Sequence, residues 1–140
     1  MKIAIIRVRG LPGVREDIHD TMKMLRLYRK NYCVVVEDTS TNLGMIQMIK
    51  DYVTFGEIDE DTYSMLIQKK AEEYKGRTSD SKNIINYKFL KLGDKKLKPF
   101  FRLSPPKGGF ERKGIKKDFK SGGALGYRGN KINDLIKRMV

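Results

Sequence analysis

Within the first 74 residues, short β-type runs alternate with amphipathic helical stripes, and only a few residues connect one to the next. This alternation constrains the fold most. Each run has an apolar side to bury, and short connections force neighbours to bury theirs against one another. From Lys2 to Arg9, "KIAIIRVR" puts Ala4, Ile6 and Val8 on one side and Ile3, Ile5, Arg7 and Arg9 on the other, a strand ending in two arginines. "GLPG" (Gly10–Gly13) breaks it. Val14, Ile18, Met22, Leu25 and Tyr28 then recur at spacings of three and four, the stripe of a helix. "NYCVVVE" (Asn31–Glu37) is a β-branched strand of the buried type.

"DTSTN" offers Thr and Asn caps to a second helix with Leu43, Ile46 and Ile49 inward. "YVTFGEI" (Tyr52–Ile58) is a third strand, and "DEDT" opens a third helix with Tyr63, Leu66, Ile67, Ala71 and Tyr74 on its apolar face. The order β-α-β-α-β-α predicts an α/β (α+β) two-layer sandwich, with a ferredoxin-like or split β-α-β-α-β core and helices on one sheet face. The first two strands, joined through a helix, are expected to be parallel with a right-handed crossover.

The second half has less period. "GRTSDSKN" (Gly76–Asn83) reads as a loop, and "KPFFRLS" (Lys98–Ser104) as a short strand ended by Pro105 and Pro106. Ile132, Leu135, Ile136 and Met139 give a closing helix with Asn130 as cap. Residues 1–74 are therefore expected to form a core domain that folds by itself. Residues 75–140 form a basic extension packed on it: a loop, a short strand, a Gly/Lys-rich arm and the closing helix.

Charge follows the same division. The chain of 140 residues carries a formal net charge of +13. Residues 1–74 hold 11 Lys and Arg against 12 Asp and Glu, whereas residues 75–140 hold 19 against 5. Such segregation points to a polyanionic partner rather than a solvated face, which would mix signs. The apolar runs are too short to span a bilayer, and the start has too short an apolar core for a signal peptide. One cysteine, Cys33, excludes an internal disulfide and fits a reducing, cytoplasmic compartment.

Catalytic chemistry finds little support. One His and one Cys cannot build a zinc site with N and S ligands. Asp59, Glu60 and Asp61 sit where a helix begins and offset its dipole. His19 reads as a surface residue and Cys33 as a small hydrophobe, and no cofactor is implied. "RVRGLPGVR" (Arg7–Arg15) could cradle a phosphate, as in acylphosphatases. The chain has no Trp, however, and lacks the "GWVxN"-type strand that such a hydrolase needs, so a tight turn is the better reading.

From Arg102 to Gly129 lysines and arginines recur every few residues, glycines come in pairs, and aromatics are interleaved: Phe110, Phe119 and Tyr127 each stand near a cation. Cations neutralise phosphates, glycines allow close backbone approach, and an exposed ring can stack on an unpaired base. Too few apolar residues lie between Ser104 and Asn130 to offset the entropy of ordering. The arm is thus expected to be mobile alone and ordered by RNA.

"IAIIRVRG" (Ile3–Gly10), "DTMKMLRL" (Asp20–Leu27), "NYCVVVEDT" (Asn31–Thr39), "LGMIQMIKDYVTFGEI" (Leu43–Ile58), and "RLSPPKGG" through "GGALGYRG" together resemble the large-subunit ribosomal protein L-thirty family, called L-seven in eukaryotes. A full second half without a long basic N-terminal extension resembles archaeal members. The resemblance implies a β-α-β-α-β core with antiparallel edge pairing and a structural, non-catalytic role. It also implies large-subunit ribosomal RNA as partner, with the 5S RNA and other large-subunit proteins nearby, one copy per subunit and no membrane. The RNA-contacting residues expected are Arg7, Arg9, Arg26, Arg29 and Lys30 from the first half. From the arm they are Arg102, Lys107, Arg112, Lys113, Lys116, Lys117, Lys120 and Arg128. A free RNA-binding regulator using the same surface and a small acylphosphatase-like hydrolase using the "GLPG" loop are the alternatives.

Overall fold

A computed structural model describes residues 2–10, 13–73, 81, 90–92 and 95–140. The expected loop over Gly76–Asn83 lies outside these residues save for Ser81, as do Tyr74 of the third apolar stripe and Leu11 and Pro12 of "GLPG". In chain order the elements are β1 (Lys2–Arg7), α1 (Glu16–Met24), β2 (Tyr32–Glu37), α2 (Ser40–Ile49), β3 (Val53–Glu57), α3 (Glu60–Lys70), β4 (Leu90–Leu92), β5 (Lys95–Leu97), β6 (Phe101–Arg102), β7 (Gly126–Tyr127) and α4 (Ile132–Met139). Short 3-10 turns occupy Phe119–Ser121 and Gly129–Lys131. The α/β class and the split β-α-β-α-β core follow the sequence pattern.

The five-stranded sheet runs β6-β2-β1-β3-β7, and β4 and β5 form a separate hairpin. Here the expected parallel pairing of the first two strands is corrected. β1 is antiparallel to both β2 (Ile3 opposite Val36) and β3 (Ile3 opposite Glu57). The unit with parallel strands is instead β2-α2-β3, with β1 between them. The cause lies at residues 25–31, where Arg26 and Asn31 take left-handed conformations (φ 64° and 67°) that turn the chain back. The Asn31 amide then donates to the Arg7 carbonyl at 2.8 Å, so β2 begins where β1 ends.

The "IAII" run becomes the central strand and is buried on both faces, which explains its unbroken apolar character. Ile3 and Ile5 pack with Met22, Leu27, Ile46, Ile49 and Phe55 under α1 and α2. Ala4 and Ile6 pack with Cys33, Leu66, Phe101, Ile132, Leu135, Ile136 and Met139 under α3 and α4. Two layers with helices on one face hold for β1–β3 with α1 and α2; α3 and the closing helix cover the opposite face and make a third layer. Burial pushes the Cys33 thiol up to about 12 and leaves it inert at neutral pH.

The caps are partly as expected. Thr39 Oγ1 accepts from the Asn42 amide at 3.2 Å and starts α2. Asn130 does not cap α4: it lies in the preceding 3-10 turn, and Lys131 holds the cap position without a side-chain bond. Asn133 anchors the helix instead, accepting from the Asp59 amide at 2.9 Å and donating to the Asn130 carbonyl at 2.8 Å.

Gly56 in β3 faces the Gly129 turn so closely that an added Cβ would lie 2.2 Å from the Gly129 carbonyl oxygen. Both sides of that contact are backbone, which cannot step aside. Gly56→Ala is therefore expected to cost about 1–3 kcal/mol, the usual range for overpacking. Urea unfolding of the two proteins measures it, and an unchanged midpoint would contradict the close approach.

Candidate nucleic-acid interface

The sheet has two chemically opposite ends. β1 finishes, and β2 and β3 begin, at one of them: the Tyr52 carbonyl accepts from the amides of Val8 and Arg9, and the Asn31 carbonyl accepts from Leu103. Arg9, Arg29, Lys30, Lys50 and Arg102 therefore share this end. At the other end β2 runs out into Glu37 and Asp38, and β3 into Glu57, Asp59, Glu60 and Asp61. Lys2 is a cation at that end, its ammonium 4.2 Å from the centre of the Tyr63 ring.

The arm joins the basic end. Ala124 and Leu125 are buried against Val8, with Phe110 and Ile115 packed beside them. β7 then adds to the sheet parallel to β3, Thr54 opposite Gly126. The arm also bonds to itself: the Lys113 amide donates to the Gly122 carbonyl at 3.2 Å, Ala124 to Gly114 at 3.1 Å and Leu125 to Lys117 at 3.0 Å. Gly123 sits so tightly on Lys117 that a Cβ would lie 2.1 Å from its carbonyl oxygen. The expectation of an arm without order of its own is corrected accordingly. Ala124 and Leu125 on Val8 and the pairing of β7 with β3 hold the arm, and the glycines let the loop close on itself.

Two expected phosphate ligands are buried and serve the fold. Arg7 is fully buried, its Nη1 donating to the Leu27 carbonyl at 2.7 Å and its Nε to the Arg9 carbonyl at 3.0 Å. It thereby holds the 25–31 turn that presents Arg29 and Lys30. Arg128 is 5% exposed and donates to Thr54 Oγ1 (2.7 Å), Glu111 Oε1 (2.8 Å) and the Ala124 carbonyl (3.1 Å). Its guanidinium also lies 4.8 Å from the centre of the Phe119 ring. Burial lowers the pKa of both arginines, and Glu111 partly offsets this for Arg128.

The remaining residues stay accessible. Arg29, Lys30, Arg102, Lys107, Arg112, Lys113, Lys116, Lys117 and Lys120 are exposed, and Arg9 and Arg26 are half-buried. Arg102 is engaged as well as exposed: its Nε donates to Glu72 Oε1 at 2.9 Å, and this pairing holds the Glu72 carboxyl below its ordinary pKa. Lys50 escaped the sequence reading, although its place between α2 and β3 was the signal that it would reach this end. The C-termini of α2, α3 and α4 also point here, each carrying about half a negative charge. More than ten cations outweigh them, and the acids nearby (Asp51, Glu72, Glu111, Asp118) leave the end strongly positive.

Among the described residues no group of His, Cys, Asp and Glu is placed to hold a metal ion, and no helix is long and apolar enough to cross a membrane. Comparison with known proteins gives a match over residues 3–53 to the family described as ribosomal protein L30p/L7e. Proteins named large ribosomal subunit protein uL30 are similar over nearly all of the chain. That of Methanopyrus kandleri is 48% identical over 95% of this chain and 100% of its own length. That of Methanococcus maripaludis is 47% identical over 100% of both. This chain belongs to the L30p/L7e family. The large ribosomal subunit protein uL30 of Nanoarchaeum equitans is 49% identical over 98% of this chain and 97% of its own. These relatives are archaeal, in line with the resemblance. The L30p/L7e family is a structural one and not enzymatic.

Proposed function

We propose that the protein is a structural constituent of the large ribosomal subunit, acting in the cytoplasm, and that its basic sheet end binds ribosomal RNA. Family membership supports the ribosomal role. The observation that carries the RNA reading is the gathering of Arg9, Arg29, Lys30, Arg102 and the arm lysines at one end, opposite an acidic one. Side chains spread along irregular loops suit folded RNA, and contacts to phosphate position the protein without reading sequence. The interface set comprises Arg9, Arg26, Arg29, Lys30, Lys50, Arg102, Lys107, Arg112, Lys113, Lys116, Lys117 and Lys120. Arg7 and Arg128 act behind it. The 5S RNA and other subunit proteins are the neighbours that the resemblance implies, with one copy per subunit.

Two measurements test this. The native protein should migrate with the large subunit in a gradient, and subunit-bound protein should cross-link to large-subunit RNA. If about six side chains meet phosphates, log K against log[salt] for purified large-subunit RNA should have a slope of roughly −4 to −5. A flat salt dependence would remove phosphate contact as the main source of affinity.

A further inference from the structure

A cleft of about 280 Å³ opens between the end of α2, strand β3 and the arm. Its apolar wall includes Phe55 and Tyr127, whose ring centres are 5.6 Å apart at an angle of 49°. Phe55 is buried, whereas Tyr127 is 49% exposed although it is a large ring. Tyr127 is also fixed: its hydroxyl donates to Glu57 Oε1 at 2.6 Å, a bond that raises its pKa and holds the ring in one orientation. Around this wall stand two lysines, Lys50 and Lys120, and two aspartates, Asp51 and Asp118.

This balance of charge is unusual for its surroundings. The rest of the sheet end is strongly positive, yet the cleft lining sums to zero. A bare phosphate would gain from the lysines and lose to the aspartates. A neutral flat heterocycle on an RNA strand meets neither difficulty. It can stack on the exposed ring, offer its N–H groups to a carboxylate, and leave the flanking phosphates at the lysines. Among the bases, guanine presents N1–H and N2–H side by side, the two parallel donors that one carboxylate accepts. Uracil offers one N–H between two carbonyl oxygens, which a carboxylate repels. We infer that this cleft takes an unpaired guanine of the bound RNA, stacked on Tyr127 and held at its Watson–Crick edge by Asp51 or Asp118.

The inference rests on the RNA-binding reading, and the experiment separates the two. The full-length protein is titrated with guanosine 5′-monophosphate, uridine 5′-monophosphate and inorganic phosphate, following the amide resonances of Leu125, Gly126 and Tyr127. Guanosine monophosphate should shift them saturably, the uridine compound several-fold more weakly, and inorganic phosphate not at all. Inorganic phosphate shifting them as strongly would overturn the inference. Asp51→Asn together with Asp118→Asn should abolish the preference for guanosine over uridine, and a retained preference counts against the carboxylates.

For purified large-subunit RNA, Tyr127→Ala should lower affinity roughly five- to a hundredfold, the range for loss of one stacked base, with the salt slope unchanged. Tyr127→Phe keeps the ring and should stay within about twofold of the parent. Undiminished binding by Tyr127→Ala, with a steep salt slope, would sink the guanine site and leave the RNA reading intact. Absence of any salt-dependent binding in the parent would sink both. A Tyr127→Ala protein that binds naked RNA normally but is lost from subunits would assign the cleft to a neighbouring protein instead.

Discussion

Removing residues 75–140 is expected to leave a chain that does not fold. The pattern of the first 74 residues suggests the opposite, since it holds three strands and three helices. The packing decides the matter. Without the extension, Ala4, Ile6, Cys33 and Leu66 lose Phe101, Ile132, Leu135, Ile136 and Met139, each of them fully buried. Each large side chain of this kind contributes about 1.5–3 kcal/mol by leaving water. Together they match the roughly 5–15 kcal/mol by which whole domains are stable, so their loss consumes it. The same cut removes β6 and β7 and bares both edges of a three-stranded remnant whose central strand is apolar on each face. Cys33 provides the readout. It lies opposite Phe101 in the sheet and is wholly buried. At pH 8 the full-length protein should react with iodoacetamide only as fast as it unfolds, and the truncated chain as fast as a model thiol. Slow labelling of the fragment, with a cooperative unfolding transition, would show that the core stands without its extension.

How much of this was legible in the sequence depends on distance along the chain. Local patterns carried the elements. The stripe Ile132, Leu135, Ile136 and Met139 is one buried helix face, and "IAII" is one central strand. Partners far apart were not legible. Arg7 looks like any cation at a strand end until the Leu27 carbonyl, twenty residues on, arrives to take its proton donors. Arg128 needs Thr54, seventy-four residues back. The antiparallel course of β1 and β2 turns on left-handed backbone at Arg26 and Asn31, and arginine gives no sign of it, since that conformation favours glycine and asparagine. β7 has two residues and no β-type pattern at all, although it joins the arm to the sheet. The charge bias survived translation into structure because it needs no particular contact, only that the arm and the strand ends meet. The aromatic interleaving resolved into separate tasks: Phe110 half-buried under the arm, Phe119 beneath Arg128, and Tyr127 at the cleft.

Arg128 offers the sharpest test of an arm stitched to the core. Its guanidinium reaches β3 through Thr54, the arm through Glu111 and the Ala124 carbonyl, and the turn at Phe119 through the ring face. Arg128→Met preserves much of the side chain's bulk and removes all these bonds. Taking one partner from a buried ion pair costs about 3–5 kcal/mol, and the lower figure applies because Glu111 is partly exposed and regains some hydration. Urea unfolding should therefore show a loss of about 3 kcal/mol. Amide exchange should be faster at Lys113, Ala124 and Leu125, whose bonds hold the arm, while β1 and β2 keep most of their protection. Arg128→Lys should recover little, since an ammonium cannot span the hydroxyl, the carboxylate and the carbonyl in one plane. RNA affinity should fall because binding must then order the arm, but the salt slope should hold, as the exposed lysines remain. A phosphate ligand behaves otherwise: its removal leaves stability and arm protection alone and reduces the slope by about one. That second pattern for Arg128→Met would return Arg128 to the RNA-facing set.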